Sequence, residues 1–432
     1  MKILIYSVNF APEPTGIGKY SGEMAEWLAA QGHSVHVVAA PPYYPQWRRD
    51  RSFPMRYFRR ERWRGVDVWR APIWVPRSPT GVRRVLHLCS FALASIPLVL
   101  QQVLWHPDLV LTVAPAFVCA PMGWLAARAS GARAWLHLQD FEVDLAFGLR
   151  LLKSRLARRV VLRMERWLLR RFDSVSTISQ RMLERLHGKG VEPRRTCYFP
   201  NWVDTRRIEP SRSAASYRAE LGLDPGALVA LFSGSMGAKQ GLLSIPQAAR
   251  LLAKRGDIVF VLSGAGPMRD SLAQAAAGLP NVRMLPLQPI ERLGELLCLA
   301  DIHLLPQSAE AGDLVLPSKL CGMMASGRPV VTMAHPGTEL AAVVTGCGLS
   351  VPPDDAGALA AAIAALADDR SQRLALGRRA RAFALAHFEI DSVLQRVFGA
   401  GEGPPASAAV ASSAPAARLE RKPLERLRPE SG

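Results

Sequence analysis

Short apolar runs of strand length alternate with helical patterns along most of this chain, and the alternation occurs in two separate series. The first series has strand-like runs at 3–6, 34–39, 109–113, 135–138 and 174–177. The second has them at 228–233, 259–263, 282–285, 302–305, 329–333 and 348–351. Strands that alternate with helices are typical of parallel, doubly wound sheets. We therefore predict an α/β protein with two Rossmann-like, doubly wound parallel-sheet domains.

The two series are separated by a polar segment rich in Ser, Arg and Pro that follows Asn201. The chain has 432 residues, of which 49% are apolar, so it can bury two ordinary cores. We expect a first domain at 1–205 and a second at 206–384, followed by a helix at 385–400. Residues 401–432 are rich in Pro, Ala, Ser and Gly and then in Arg and Glu, which predicts a disordered tail.

The formal net charge of +18 comes almost entirely from arginine. One arginine-rich block, 51–70, contains interleaved aromatic residues, and a second, 150–171, contains apolar residues at helical spacing. Both blocks are predicted to be amphipathic cationic surfaces. No recognised nucleic-acid-binding motif accompanies the charge, so nucleic acid is not expected as a partner. An anionic membrane surface and an anionic substrate remain as candidate partners. The alternative is that the arginines are simply solvated.

Between the two blocks, residues 85–104 form an apolar run about as long as a bilayer-spanning helix. His87, Pro97 and two glutamines interrupt it, and a new strand pattern follows at once. An interfacial or buried helix is favoured over a membrane span, within a membrane-associating region at about 51–171 that docks on anionic lipid. Six scattered cysteines without a Cys-x-x-Cys pair fit a reducing compartment. We expect a cytoplasmic protein attached peripherally to the inner face of the membrane.

Two loops have the composition of phosphate-binding elements. In 310–330 a polar loop leads into a short helix that begins at Lys319, where free N–H groups favour anions, and Gly327 precedes the next strand. In 9–20 a loop with Gly16 and Gly18 joins the first strand to the first helix. This second loop lacks the third glycine of a dinucleotide site, and no ribose-binding acid follows the second strand. A dehydrogenase is therefore disfavoured.

These motifs together resemble those of the retaining, nucleotide-sugar-dependent glycosyltransferases of family 4, and the resemblance extends to about residue 398. Within the family the chain is most similar to colanic-acid-type exopolysaccharide transferases, through Phe-Ser-Gly-Ser-Met-Gly-x-Lys-Gln-Gly and Leu-Pro-Ser-Lys-Leu-x-Gly-Met-Met-Ala-Ser-Gly-Arg-Pro. The resemblance implies a GT-B fold, with the acceptor held by the first domain and the nucleotide sugar by the second. It also implies a final helix that crosses back to the first domain, and retention of configuration with no metal and no cofactor.

The resemblance also implies a set of donor-binding residues: Gly16, Gly18, Ser235, Lys239, Gln240, Gly266, Asp313, Lys319 and Glu339. The chain departs from the family where Ser235 and Gln240 replace a basic pair, which leaves Lys239 and Lys319 as the expected diphosphate contacts. Leu314 and Gly322 replace a pair of glutamates. Asp313 or Glu310 is the candidate for part of the first glutamate's role, whereas the ribose contact of the second is left unassigned.

Asp140 and His137 are the catalytic candidates. Many family members have His-Asp after a strand of the first domain where this chain has Gln139-Asp140, and His137 lies on the same side of the strand as Gln139. Asp140 is expected to hydrogen-bond or help to deprotonate the attacking hydroxyl, or else to cap a helix. His137 either contacts the donor sugar or is a satisfied strand histidine. Glu339 either holds sugar hydroxyls or caps its own helix.

The function that these residues predict is transfer of a hexosyl group, with fucosyl and N-acetylated deoxyhexosyl as candidates. The donor would be a UDP- or GDP-sugar and the acceptor a lipid-linked oligosaccharide, in exopolysaccharide or O-antigen biosynthesis. Two alternatives stay open. One is a nucleotide-sugar epimerase of the same fold, and the other is an inactive, membrane-associated scaffold.

Overall fold

A computed structural model describes residues 1–48, 50, 52–53, 57–77, 81–114, 117–141, 155–237, 240–309 and 316–399 of the chain. These residues form two α/β domains, each built on its own sheet. The first sheet has eight strands in the order β3-β4-β2-β1-β5-β6-β7-β8, and only the β3–β4 pair is antiparallel. Its strands are β1 (Lys2–Ser7), β2 (Ser34–Ala39), β3 (Arg59–Trp63), β4 (Val66–Arg70), β5 (Leu109–Ala114), β6 (Arg133–Leu138), β7 (Ser174–Thr177) and β8 (Thr196–Tyr198).

Helices cover both faces of the first sheet, as the buried apolar strands require. In chain order they are α1 (Gly16–Ala30), α2 (Gly81–Ala94), α3 (Ile96–Val103), α4 (Ala120–Ser130), α5 (Arg155–Leu169) and α6 (Gln180–Gly188). Helix α1 packs into the core on one face. Helices α2 to α6 contribute to the core on the other face.

The second sheet has six parallel strands in the order β11-β10-β9-β12-β13-β14. They are β9 (Leu228–Ser235), β10 (Ile258–Ala265), β11 (Val282–Leu285), β12 (Ile302–Pro306), β13 (Val330–Met333) and β14 (Gly348–Val351). The helices of this domain are α7 (Ala215–Glu220), α8 (Ser244–Leu251), α9 (Arg269–Ala276), α10 (Leu293–Leu299), α11 (Lys319–Ala325), α12 (Glu339–Val344), α13 (Ala356–Asp368) and α14 (Arg370–His387).

The long helical pattern after Ser371 is divided into α14 and a last described helix, α15 (Ile390–Phe398). Helix α15 leaves the second domain and packs on the first, where Phe398 lies 5.2 Å from the ring of Trp135. The two segments that join the domains also bond to each other. The backbone N–H of Val203 donates to Phe388 O at 2.8 Å, and the N–H of Ile390 donates to Val203 O at 3.1 Å.

The first arginine-rich block, predicted to be an amphipathic cationic surface, has exposed arginines at 59, 60, 62 and 64 and one buried arginine at its end. Residues 59–70 form β3 and β4 at the edge of the first sheet, and Arg70 is fully buried. Its guanidinium donates to Glu61 Oε1 at 2.9 Å and to the carbonyl oxygens of Ala40 and Ala11. A buried guanidinium with carboxylate and carbonyl partners is a structural element of the domain interior.

The apolar run at 85–104 forms parts of two helices instead of one. Helices α2 and α3 meet at Ser95 with a bend of 41°, and Phe91 and Val99 are buried in the domain core. Within the described residues no single helix is long and apolar enough to cross a membrane, although this bent pair passes on length and composition.

Candidate functional site

A cavity of about 270 Å³ lies between the two domains, at the carboxyl ends of both sheets. The first domain contributes the loop after β1, helix α1, Tyr44 and Trp202, and the second contributes the ends of β9 and β10, helix α10 and the start of α11. Ligands of open parallel sheets bind at this edge of the strands. Of the residues predicted from the sequence, the cavity brings together Gly16, Ser235 and Lys319.

Lys319 lies at the base of this cavity. Its Nζ donates to Ser235 O at 3.3 Å and lies 4.2 Å above the ring of Phe232. Gly234, with φ +120°, leaves room for it, because a Cβ there would come within 3.3 Å of Nζ. Burial lowers the pKa of Lys319 from 10.5 to about 7. No carboxylate among the described residues pairs with this half-buried amine, which faces the cavity.

The glycine-rich loop after β1 is held by Glu13, a residue that the sequence analysis did not single out. The Glu13 carboxylate accepts the backbone N–H groups of Tyr43 and Tyr44, at 3.1 and 3.0 Å, and the Asn9 amide at 2.9 Å. Burial raises its pKa to about 7, against the lowering effect of these hydrogen bonds. A Cβ at Gly18 would overlap Glu13. Gly18 therefore lets the first helix approach the loop, whereas Gly16, with φ +64°, lines the cavity itself.

On the first domain, the wall of the cavity consists of side chains that are linked by hydrogen bonds and ring contacts. Glu23 accepts hydrogen bonds from Lys19 Nζ and from the Trp202 indole N–H, both at 3.0 Å. Tyr20 packs edge-on against Trp202, and its hydroxyl donates to Ser318 O across the domain boundary at 3.3 Å. Lys19 is therefore a second cation in the cleft. The Gly-x-Gly-Lys pattern of the loop was the signal that could have indicated it.

Asp140 does not line the main cavity. It follows β6 and borders a second, narrow void with Phe141 and Glu165. Tyr44, by contrast, does line the main cavity. The pKa of the Tyr44 hydroxyl is raised by burial, then by the charge of Glu13 and to a smaller extent by that of Asp140, while Arg84 opposes the shift. The charge of Asp140 thus acts on Tyr44, but Asp140 is outside the lining of the main cavity.

His137 lies inside the first domain, away from the cavity. Its Nδ1 is 2.9 Å from Ser176 Oγ and its Nε2 is 2.9 Å from Gln139 Nε2. Gln139 in turn donates to Asn201 Oδ1 at 3.1 Å, next to the junction between the domains. Burial lowers the pKa of His137 to about 3, so the ring is neutral. In this structure His137 has the contacts of a satisfied strand histidine, and its polar network leads toward the junction.

Glu339 is also outside the cavity lining, and its carboxylate reaches the first domain. Oε1 accepts the backbone N–H of Gln180 at 2.9 Å and Oε2 accepts that of Arg181 at 2.8 Å, at the start of α6. The Arg181 side chain donates back to Gly337 O at 3.1 Å. Thr338, not Glu339, caps the helix to which Glu339 belongs. Glu339 therefore caps a helix of the opposite domain.

The remaining donor candidates surround the phosphate loop of the second domain. Gln240 Nε2 donates to Ser235 Oγ at 3.3 Å, which fixes the loop beside the cavity. Gly266 is packed against the backbone of Met236, where a Cβ would overlap the Met236 carbonyl, so its place is structural. Lys239 and Asp313, together with Glu310 and Leu314, lie outside the described residues.

Gly322, which stands where the family resemblance places the second glutamate, is part of an apolar wall. Gly322 lines the cavity, and a Cβ there would lie 3.2 Å from Leu297 Cδ1 and 3.8 Å from Ile208 Cδ1. Leu293 and Leu296 extend the same wall. A side chain at 322 would require Leu297 to shift, so this position is surrounded by apolar packing.

Two family comparisons match the chain in sequence. Residues 15–202 match the Glycosyl transferase 4-like domain family and residues 227–369 match the Glycosyl transferases group 1 family. The protein of Escherichia coli (strain K12) that is named "Putative colanic acid biosynthesis glycosyl transferase WcaI" is 40% identical over 373 residues. That alignment covers 84% of this chain and 91% of WcaI.

Solved structures share the architecture. Sucrose-phosphate synthase from Thermosynechococcus elongatus superposes with a TM-score of 0.72 at 20% identity, covering 93% of this chain and 98% of that one. Anabaena HepE, in complex with UDP and glucose, superposes with a TM-score of 0.65 at 18% identity, covering 93% and 99%. At these identities the likeness shows the fold alone, which is the two-domain GT-B arrangement predicted from the sequence.

Proposed function

We propose that this chain, which belongs to the family 4-type glycosyltransferases, transfers a hexosyl group from a UDP- or GDP-sugar. The acceptor is a lipid-linked oligosaccharide of exopolysaccharide or O-antigen biosynthesis. The similarity to a colanic acid transferase supports the pathway, and the UDP bound by HepE supports a nucleoside diphosphate donor. Fucosyl and N-acetylated deoxyhexosyl groups remain the candidates for the transferred sugar.

The half-buried amine of Lys319 is the observation that carries the proposal. Desolvation disfavours its charged form unless an anion pairs with it, and the described residues supply Lys319 with a carbonyl and an aromatic ring but no carboxylate. A diphosphate at the mouth of β9 would supply the missing negative charge. Lys19, on the opposite wall, is already paired with Glu23 at 3.0 Å.

The proposed chemistry proceeds with retention of anomeric configuration and without a metal ion. The acceptor hydroxyl oxygen bonds to the anomeric carbon, the bond from that carbon to the diphosphate breaks, and the nucleoside diphosphate leaves with the electron pair. Fixed positive charge in a closed cleft stabilises the leaving diphosphate, which is the role of Lys319. In this proposal Asp140 hydrogen-bonds the acceptor hydroxyl and receives its proton.

We place the enzyme at the inner face of the cytoplasmic membrane, attached peripherally. A lipid-linked acceptor has its reactive sugar at the bilayer surface, and the first domain, which would hold that acceptor, carries most of the exposed apolar side chains among the described residues.

Thermal unfolding with UDP, GDP and their sugar conjugates tests the proposal. A ligand at one hundred times its Kd stabilises the folded protein by about 2.7 kcal/mol. We expect stabilisation by one nucleotide family, its loss in Lys319→Ala, and its retention in Lys254→Ala, which removes an exposed lysine of the same domain. The absence of any shift with every nucleotide would contradict donor binding and favour the inactive scaffold.

A further inference from the structure

We propose that the first domain docks on an anionic lipid bilayer through the outer surface of helices α2 to α5, called here the docking face. The proposal rests on the proposed function for its purpose, because this surface would bring the acceptor side of the cleft to a lipid-linked substrate. It is argued below from exposure, charge and packing, which are independent of donor chemistry.

Apolar side chains are exposed in stripes on these helices. On α5 the stripe contains Leu156, Val160, Met164 and Trp167, spaced four, four and three residues apart. Helix α2 has its own stripe, Val82, Val85, Leu86 and Leu93. Among the described residues, twelve of the twenty most exposed large apolar side chains lie on the docking face or in the turns that border it. Stripes of this kind are typical of helices that lie in a membrane interface.

The stripes point to the same side of the molecule. The opposite sides of the helices, represented by Phe91, Val99, Ala127 and Leu168, are all buried in the core on one face of the first sheet. The exposed stripes therefore all point away from that sheet. Helices α4 and α5 are joined at the surface by Trp124 and Trp167, whose rings lie 5.9 Å apart.

The charge of the docking face has one sign. Exposed arginines occur on three of its helices: Arg83, Arg84, Arg128, Arg159, Arg163 and Arg166. Glu165 is the only acidic residue of α2 to α5 as the structure describes them, and it is buried and bonded to Lys189 Nζ at 2.5 Å. The opposite face of the same sheet is covered by α1, which carries Glu23 and Glu26. An anionic lipid surface complements this distribution.

The contacts of α2 and α3 favour a docked surface over a membrane span. Ser95, at the bend, lies 2.6 Å from the Tyr6 hydroxyl, and Gln102 lies 2.7 Å from His36 Nδ1. Spanning the bilayer would break these bonds and remove Phe91 from the core. A second copy of the chain is also disfavoured as the occupant, because a two-fold contact through this face would bring arginines against arginines.

Vesicle co-sedimentation tests the docking face in the full-length protein. We expect binding to phosphatidylcholine vesicles that contain phosphatidylglycerol and much weaker binding to phosphatidylcholine alone. Arg159→Gln with Arg163→Gln should weaken binding about 30-fold, which corresponds to about 1 kcal/mol for each arginine. Leu156→Ser with Met164→Ser should weaken it about tenfold or more through lost apolar insertion.

Matched controls come from α14 of the second domain. Arg378→Gln with Arg379→Gln, and Leu374→Ser with Leu385→Ser, change exposed arginines and exposed apolar side chains outside the docking face and should leave vesicle binding unchanged. Equal binding to neutral and anionic vesicles would overturn the proposal, as would equal losses in the control variants. Self-association without lipid that the α5 variants abolish would also overturn it, because the face would then be a protein interface.

The UDP- or GDP-sugar thermal shift, measured on the same samples, separates the two proposals. If nucleotides raise the unfolding temperature but the protein does not bind vesicles, only the docking proposal is wrong. If the protein binds vesicles through α5 but no nucleotide raises its unfolding temperature, only the proposed function is wrong.

Discussion

The carboxylate of Glu339, in the second domain, accepts the backbone N–H of Arg181, in the first domain, at 2.8 Å. The same carboxylate accepts the N–H of Gln180, so both oxygens satisfy donors of the first turn of α6, and Ser179 satisfies a third. A negative charge at this end of a helix also interacts favourably with its dipole. Glu339 therefore holds the two domains in the arrangement that forms the cavity between them.

We expect Glu339→Gln to reduce transfer while leaving nucleotide binding intact. The glutamine oxygen can accept one N–H, but its amide group repels the other, and a charged hydrogen bond is worth about 1.5–3 kcal/mol. If closure precedes transfer, kcat/KM should fall about 10- to 100-fold. The Kd for UDP or GDP should not change, because Glu339 lies outside the cavity.

The matched control for this variant is Glu184→Gln. Glu184 pairs with the Arg181 guanidinium at the surface and does not reach the other domain. It should keep wild-type kcat/KM. A Glu339→Gln enzyme with full activity, or one whose nucleotide affinity falls in step with its activity, would show that the bridge does not act through domain arrangement.

Donor binding should take up a proton at Lys319. Burial lowers the pKa of this lysine to about 7 in the unliganded protein, and a bound diphosphate favours the charged form, which raises it. Above pH 7 the donor therefore binds with proton uptake, and its affinity should fall by at most about tenfold per pH unit. Calorimetry in buffers of different ionisation enthalpy measures the uptake, which Lys319→Met should abolish and Lys19→Met should leave in place.

Glu13 should make the unliganded protein less stable as the pH rises from about 4.5 to 7. Burial raises the pKa of its carboxyl from 4.5 to about 7, so in that range the folded state binds more protons than the unfolded state. The free energy of unfolding then falls with increasing pH, by at most about 1.4 kcal/mol per unit. In Glu13→Gln this slope should disappear in urea titrations across the range. An unchanged slope would assign the effect to another group.

Asp140→Asn should abolish transfer and keep donor binding. An amide cannot receive the proton of the acceptor hydroxyl, and the loss of a general base costs about 10²- to 10⁴-fold in rate. The thermal shift with the nucleotide sugar should persist. Asp173→Asn is the control, because Asp173 only accepts the backbone N–H of Ala134 within the fold. Equal losses in the two variants would point to a structural role for Asp140.

The sequence predicted the strands that periodicity reveals. The bounds of β2 and β7, for example, are those expected, because a buried parallel strand is a continuous apolar run between polar turns. Strands β3 and β4 were missed because their arginines resemble a solvated surface, and only tertiary contacts show that Arg70 is inside.

The site was predictable where a motif is local and not where it depends on distant partners. Lys319 could be found from its place at a helix start, and it lines the cavity. The pairing of Glu339 with α6 joins residues more than 150 positions apart, and periodicity carries no information on such a contact. Glu13 was overlooked because one acid in a loop gives no sequence signal of burial.

The hydrogen bonds that join Val203 to Phe388 and Ile390 have a mechanical consequence. The polypeptide passes between the domains twice, and the two passages form a double-stranded hinge, which resists twisting and permits bending about a single axis. Any opening of the cleft would then be a rotation of one domain relative to the other about this hinge. A single cut between the halves could not release an intact first domain, because α15 would be left behind and Trp135 and Phe199 would be exposed.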